Sequence, residues 1–216
     1  MTITNKELQG IFEKIGRKHG YESVSAEFLP LKDFKATWER GYDYIHLQIS
    51  DYAKDAPLEA MMSLAEKIFS SIEGRVVPYN DAMTEWVLSD EFVKKERPIY
   101  LKRSRNIKKD PKGEHKDLTD SLKRLADAGL IDDTDVYLTW SKGPLSLRAA
   151  YFSMLMKTIV VSSTLDDNDT PDDVLDYVIY YEWLAMTESR KTFGRGMTGE
   201  YIEIRKKYPN YEKCNA

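Results

Sequence analysis

A glutamate stands inside the most aromatic stretch of the chain, Asp176-Tyr177-Val178-Ile179-Tyr180-Tyr181-Glu182-Trp183-Leu184-Ala185-Met186. At helical spacing Glu182 shares a face with Leu175, Val178, Ile179, Ala185 and Met186. Its carboxylate is then a snorkelling group on a half-exposed helix, a buried acceptor with a Tyr or Arg partner, or part of a pocket. A second chemistry is electrostatic. Between Lys94 and Lys109 the basic residues Lys94, Lys95, Arg97, Lys102, Arg103, Arg105, Lys108 and Lys109 face one acid, Glu96. Interleaved with Tyr100 and Ile107, this segment reads either as a phosphate-binding surface, with Lys102, Arg103, Arg105, Lys108 and Lys109 as candidate contacts, or as a solvated Lys-rich edge.

Other groups fit their apparent motifs less well. Asp166-Asp167-Asn168-Asp169-Thr170 offers clustered oxygens, but Pro171 occupies the glycine position of a calcium loop and Tyr177 the position of its bidentate glutamate. The loop Gly194 to Gly199 lacks both the strand before a phosphate cradle and the Lys-Ser/Thr after it. His19, His46 and His115 form no spaced pair, so none is assigned to a metal.

These residues need positioning elements. Thr4 and Glu7 make a capping box, and Leu8, Ile11, Phe12 and Ile15 predict a helix over about Asn5 to His19, closed by Gly20. Alternation from Tyr21 to Ile49 predicts two or three strands, two of them antiparallel across Glu39-Arg40-Gly41. Pro57 opens a helix whose stripe of Leu58, Met61, Met62, Ala65, Ile68, Phe69 and Ile72 ends at Gly74. Shorter helical pieces follow over Ala82 to Phe92 and Leu118 to Ala128, then strands over Asp135 to Trp140 and Thr158 to Ser162 with the Lys142-Gly143-Pro144 loop between. Thr170 is the expected N-cap and Pro171 the first position of a helix to about Ser189, and a last helix ends at Tyr208-Pro209. No internal repeat is visible.

The run Thr139-Trp140-Ser141, Ser162-Ser163-Thr164-Leu165, Pro171, Leu175-Asp176-Tyr177-Val178 and Glu182-Trp183-Leu184 resembles the SprT-like and related predicted zinc-dependent hydrolases. The resemblance is best over Val136 to Pro209 and weaker from Ile49-Ser50-Asp51 to Ile72. The family's helix carries histidine, glutamate, two residues and histidine. Its histidines bind zinc, and its glutamate takes a proton from the zinc-bound water. Carried onto this chain, the resemblance puts Tyr181 and Ala185 at the two histidine positions, keeps Glu182 at the general base and sets Met197 at the third ligand, with Tyr201 as the aromatic that follows. Alanine cannot ligate, tyrosine is a poor zinc ligand near neutral pH and a thioether prefers softer ions. What the resemblance implies is a zincin-like protein with a degenerate motif, Glu182 as a remnant, no metal and no cofactor.

At 216 residues, with 42% hydrophobic and 31% charged, the composition is that of a folded chain with a real core, and the net charge of -4 selects no partner. Cys214 has no intrachain partner for a disulfide. The N-terminal twenty residues contain no apolar run of a signal peptide, and no run of about 18 apolar residues occurs, so a cytoplasmic protein without a membrane partner is expected. The expected fold is α+β, a single zincin-like domain over 1–216 with a small, mostly antiparallel sheet, in which about 1–95 packs on a core of about 96–216. The leading function is a catalytically inactive peptidase relative that binds a peptide or protein partner in the remnant cleft. An active hydrolase with a rearranged site and a nucleic-acid-binding module are the alternatives. Dialysis of the purified protein against zinc followed by metal analysis is expected to leave far less than one zinc per chain; one per chain would restore the hydrolase reading.

Overall fold

The computed structural model describes residues 2–193, 199–209 and 211–214. The fold is α+β and divides into two compact units, 1–96 and 97–216, each taken here by itself. In place of one mostly antiparallel sheet there are two three-stranded mixed sheets, one in each unit.

Unit 1 opens with α1 (Asn5–Lys18), whose N-terminus carries the expected capping box: Glu7 N–H donates to Thr4 Oγ1, and Thr4 N–H to the Glu7 carboxylate. Then come β1 (Ser23–Leu29), β2 (Ala36–Arg40) and β3 (Tyr44–Ser50), a 3-10 turn over Asp51–Asp55, and α2 (Leu58–Ile72). The sheet order is β1-β3-β2, with β1 parallel and β2 antiparallel to β3. Alternation sends Val24, Ala26, Phe28, Ile45, Leu47 and Ile49 into a core with Leu8, Phe12, Met61 and Phe69. At Gly16 a Cβ would stand 2.6 Å from Val24 and 2.8 Å from Phe69, so only glycine lets α1 approach this closely. The buried face of α2 is Ala60, Met61, Leu64, Ala65, Ile68 and Phe69; Leu58 and Met62 of the expected stripe are exposed. Next are α3 (Asp81–Val87) and α4 (Asp90–Arg103), and the boundary between units falls inside α4 beside Pro98.

Unit 2 contains α5 (Leu118–Asp127), β4 (Tyr137–Trp140), β5 (Ala150–Ser153) and β6 (Thr158–Val161), a 3-10 turn over Ser163–Leu165, and α6 (Asp172–Lys191). After them lie α7 (Glu200–Ile204), a 3-10 turn over Arg205–Lys207 and α8 (Tyr211–Cys214), so the expected last helix is two short ones. The order β4-β6-β5, with β4 parallel and β5 antiparallel to β6, repeats the topology of the first sheet. The chain thus contains the sequence of elements helix, three strands, 3-10 turn and helix twice, a repeat absent from residue identity. The match reaches single bonds. Ser50 N–H donates to Lys35 O at 2.9 Å, and Ser162 N–H to Ala149 O at 2.7 Å; Pro57 is the N-cap of α2 and Pro171 that of α6. β5 is not legible in the sequence, because only four residues pair and Tyr151-Phe152 shows no alternation.

A loop over 104–117 is tied to unit 2 by one carboxylate. Asp166, its side chain 4% exposed, accepts N–H bonds from Glu114 (2.7 Å), His115 (3.0 Å) and Lys116 (3.1 Å) and faces Lys108 Nζ at 3.4 Å. A Cβ on Gly113 would lie 2.2–2.4 Å from that carboxylate. Burial opposes its charge, yet the three N–H donors and Lys108 hold the Asp166 pKa below its ordinary value. A depressed native pKa contributes stability above the unfolded value and loses it as pH falls through the native one. Asp166→Asn is therefore expected to cost about 2 kcal/mol at pH 7, the gap to the parent protein narrowing as urea unfolding is repeated below pH 4.

Candidate functional site

Helix α6 is enclosed on nearly every side, which is why its sequence is so aromatic. Tyr177 packs against Tyr208 and Tyr211, and Tyr180 against Tyr208, with ring centroids 5.2, 6.0 and 5.5 Å apart. Tyr208 Oη donates to Asp173 O at 2.8 Å, and Trp183 Nε1 to Asp133 O at 2.9 Å. Asp176 receives a bidentate pair from Arg124, Nε and Nη2 each at 2.7 Å, which fixes α5 on α6. These residues hold the helix in place, and their chemistry is consumed in doing so.

Glu182 remains. It is half-buried, and the charge facing it is the exposed guanidinium of Arg148, just before β5. Burial dominates, and the carboxyl is pushed up from 4.5 to about 7, so near neutrality it both accepts and donates hydrogen bonds. Neighbouring Tyr181 is half-buried beside Tyr201 on α7, centroids 6.0 Å apart, with the Arg205 guanidinium 5.4 Å from its ring. Burial and a hydrogen bond with Tyr201 raise the Tyr181 phenol above its ordinary value. Ala185 is buried, and Met197 lies outside the described residues.

These side chains do not fit zinc. At the positions that the resemblance assigns to two imidazoles stand a protonated phenol and a methyl group, and among the described residues no group of three His, Cys, Asp or Glu could hold a metal ion. Two of the three histidines are engaged elsewhere. His19 caps α1 with Nδ1 2.6 Å from Glu73 and Nε2 3.2 Å from Glu66, and His46 Nδ1 is 2.8 Å from Ser25 Oγ.

Arg148, the charge that acts on Glu182, stands at the start of a strand edge. In the order β4-β6-β5 the outer side of β4 is covered: Ile107 bridges to Ser141, and Lys108 N–H donates to Trp140 O at 2.8 Å. Among the described residues β5 pairs with β6 alone in that sheet. Since Ala149 O accepts from Ser162, and Ala150 is opposite Val161, residues 149, 151 and 153 turn their main-chain groups toward β6. The N–H and C=O of Ala150 and Phe152 therefore point outward, along the edge that Arg148 begins. Sequence analysis could not find this edge without β5.

The basic segment is not an edge strand. Its first part is α4, and Arg105 to Lys109 lie in the loop pinned by Asp166. Lys95 pairs with Asp55, Arg97 with Asp135 at 3.2 Å and Lys108 with Asp166, so at least three of the eight charges have acid partners. Lys102 and Arg103 end α4; Lys102, Arg105 and Lys109 are exposed. Lys109 takes positive φ, while its N–H donates to Thr139 Oγ1 and its C=O accepts from Tyr137 Oη.

No protein-family model, curated protein or solved structure matches this chain. The raised carboxyl gives a signed expectation. A native pKa above the unfolded one means that folding takes up a proton between about pH 4.5 and 7, and stability falls as pH rises through that window. Glu182→Gln is expected to stabilise the protein by about 1–3 kcal/mol at pH 8 and by almost nothing at pH 4, read from urea midpoints.

Proposed function

We propose that this chain is a zincin-like binding protein without the zincin reaction, taking an extended peptide along the outer edge of β5 beside Glu182. The outward main chain of Ala150 and Phe152 carries the reading, since it offers two donors and two acceptors to an added strand. Three further features support it. The residues over which the resemblance to the SprT-like family is best fall on β4, the turn after β6, and α6, in unit 2. Tyr181 and Ala185 replace the family's ligands, leaving Glu182 without a metal-bound water to activate. Arg148 and a carboxyl near pKa 7 flank the edge, a pair suited to a peptide that carries an acidic side chain next to main-chain amides.

Peptides selected from a random heptapeptide library on the immobilised protein should be enriched in Asp or Glu. On titration they should shift the NMR amide signals of Ala150 and Phe152 and protect them from exchange. Arg148→Glu should weaken binding about tenfold, one charge-assisted contact being worth roughly 1.4 kcal/mol. Binding that leaves both amides unmoved, or zinc-dependent cleavage of the selected peptides, would overturn the reading.

A further inference from the structure

The repeated topology places a cavity in unit 1 at the position where unit 2 has Glu182. Ile68 stands eleven residues after Pro57 on α2, as Glu182 does after Pro171 on α6, and Trp38 stands two after Ala36 on β2, as Phe152 does after Ala150 on β5. In unit 1 this position is a cavity of about 170 Å³ walled by Phe34, Trp38, Ile49, Leu64 and Ile68. Its size suits one aromatic ring, since a cavity of about 150 Å³ accommodates benzene.

Its polar lining has a sign. Lys35 and Lys67 contribute to it, with Ser50, Ser71 and Tyr79, and no carboxylate does. Lys67 Nζ donates to Val77 O at 2.7 Å and lies 4.7 Å from the Tyr79 ring centroid, which orients the ammonium and leaves it two further donors. Ser50, 1% exposed, lines the cavity as a residue, but its hydroxyl is fully enclosed and the cationic side chains are the polar groups available to a ligand. A larger groove of about 580 Å³ between α1 and the start of α2 has Glu7, Asp55 and Lys14 together on its lining, so it selects neither charge.

We infer that the cavity between β2, β3 and α2 binds a small aromatic acid, one ring bearing one carboxylate, with the ring against Phe34, Trp38 and Ile68 and the carboxylate received by Lys67. The ligand class follows from size, aromatic walls and a cationic lining together. This site is independent of the β5 edge, and neither reading requires the other.

Benzoate is the probe, with benzyl alcohol as its neutral counterpart, titrated into the full-length protein and followed by two-dimensional NMR and by the intrinsic fluorescence of tryptophan. Saturable benzoate binding is expected, with shifts at the amides of Ser50, Trp38 and Ile68 and an affinity at least tenfold above that for benzyl alcohol. Lys67→Met should remove that preference. Ala36→Phe, at the half-buried first residue of β2 on the cavity lining, supplies a blocked variant should Lys67→Met fail to fold; it should abolish binding while keeping the circular dichroism spectrum. Equal affinity for both probes would overturn the acid, and absence of saturation at millimolar benzoate, or binding unaffected by both Lys67→Met and Ala36→Phe, would overturn the site.

Discussion

The organisation of unit 2 rests on a buried carboxylate satisfied by main-chain donors. Asp166 lies just after the 3-10 turn that follows β6 and gathers three successive N–H groups from the loop before α5. With that loop held, Pro111 presents its carbonyl to Trp140 Nε1 at 2.9 Å and to Leu118 N–H at 3.1 Å, joining sheet and helix start at one residue. Helix α5 then carries Arg124 to Asp176, and α6 is placed by that pair. An ion that keeps its charge against burial must have donors in fixed positions, and donors fixed around it hold the chain in return.

Two units share one topology and differ in what the helix turns toward the outer strand. In unit 1 the position is Ile68, and the surrounding side chains form an apolar cavity with a cationic lining. In unit 2 it is Glu182, near a guanidinium and a row of tyrosines. The backbone supplies the same arrangement of strands and helix twice, and the side chains decide what each copy can recognise.

The aromatic character of α6 has a structural origin. A helix covered by α5, the second sheet and the C-terminal helices has no solvent face to fill with charges. Tyr180 on α6 and Tyr208 packed against it are amphipathic fillers whose hydroxyls donate to carbonyls at the rim, Ile204 O and Asp173 O. Glu182 differs: burial raises its carboxyl pKa, and the charge of Arg148 offsets that only in part. The basic segment illustrates the reverse case: its net charge in the sequence is larger than the charge it presents, because Lys95, Arg97 and Lys108 meet acids distant along the chain.

Local physics made much of the fold legible from residues alone. The capping box at Thr4 and Glu7, the glycines at positive φ after α1, α2 and α5, the alternation of β3 and the prolines opening α2 and α6 each act within a few residues, so the sequence determined these elements directly. It also determined that Tyr181 and Ala185 cannot serve as a histidine pair. Tertiary structure alone decided the rest. Strand β5 exists through pairing with β6, the parallel partners of β3 and β6 are far away in sequence, and the twofold recurrence of the topology is carried by hydrophobic pattern instead of identity. Asp166 looked like one acid in an exposed acidic turn, and its role appears only when residues fifty positions away close over it. Elements follow from short-range spacing, whereas sites follow from which elements meet, and that depends on contacts whose partners the linear order does not reveal.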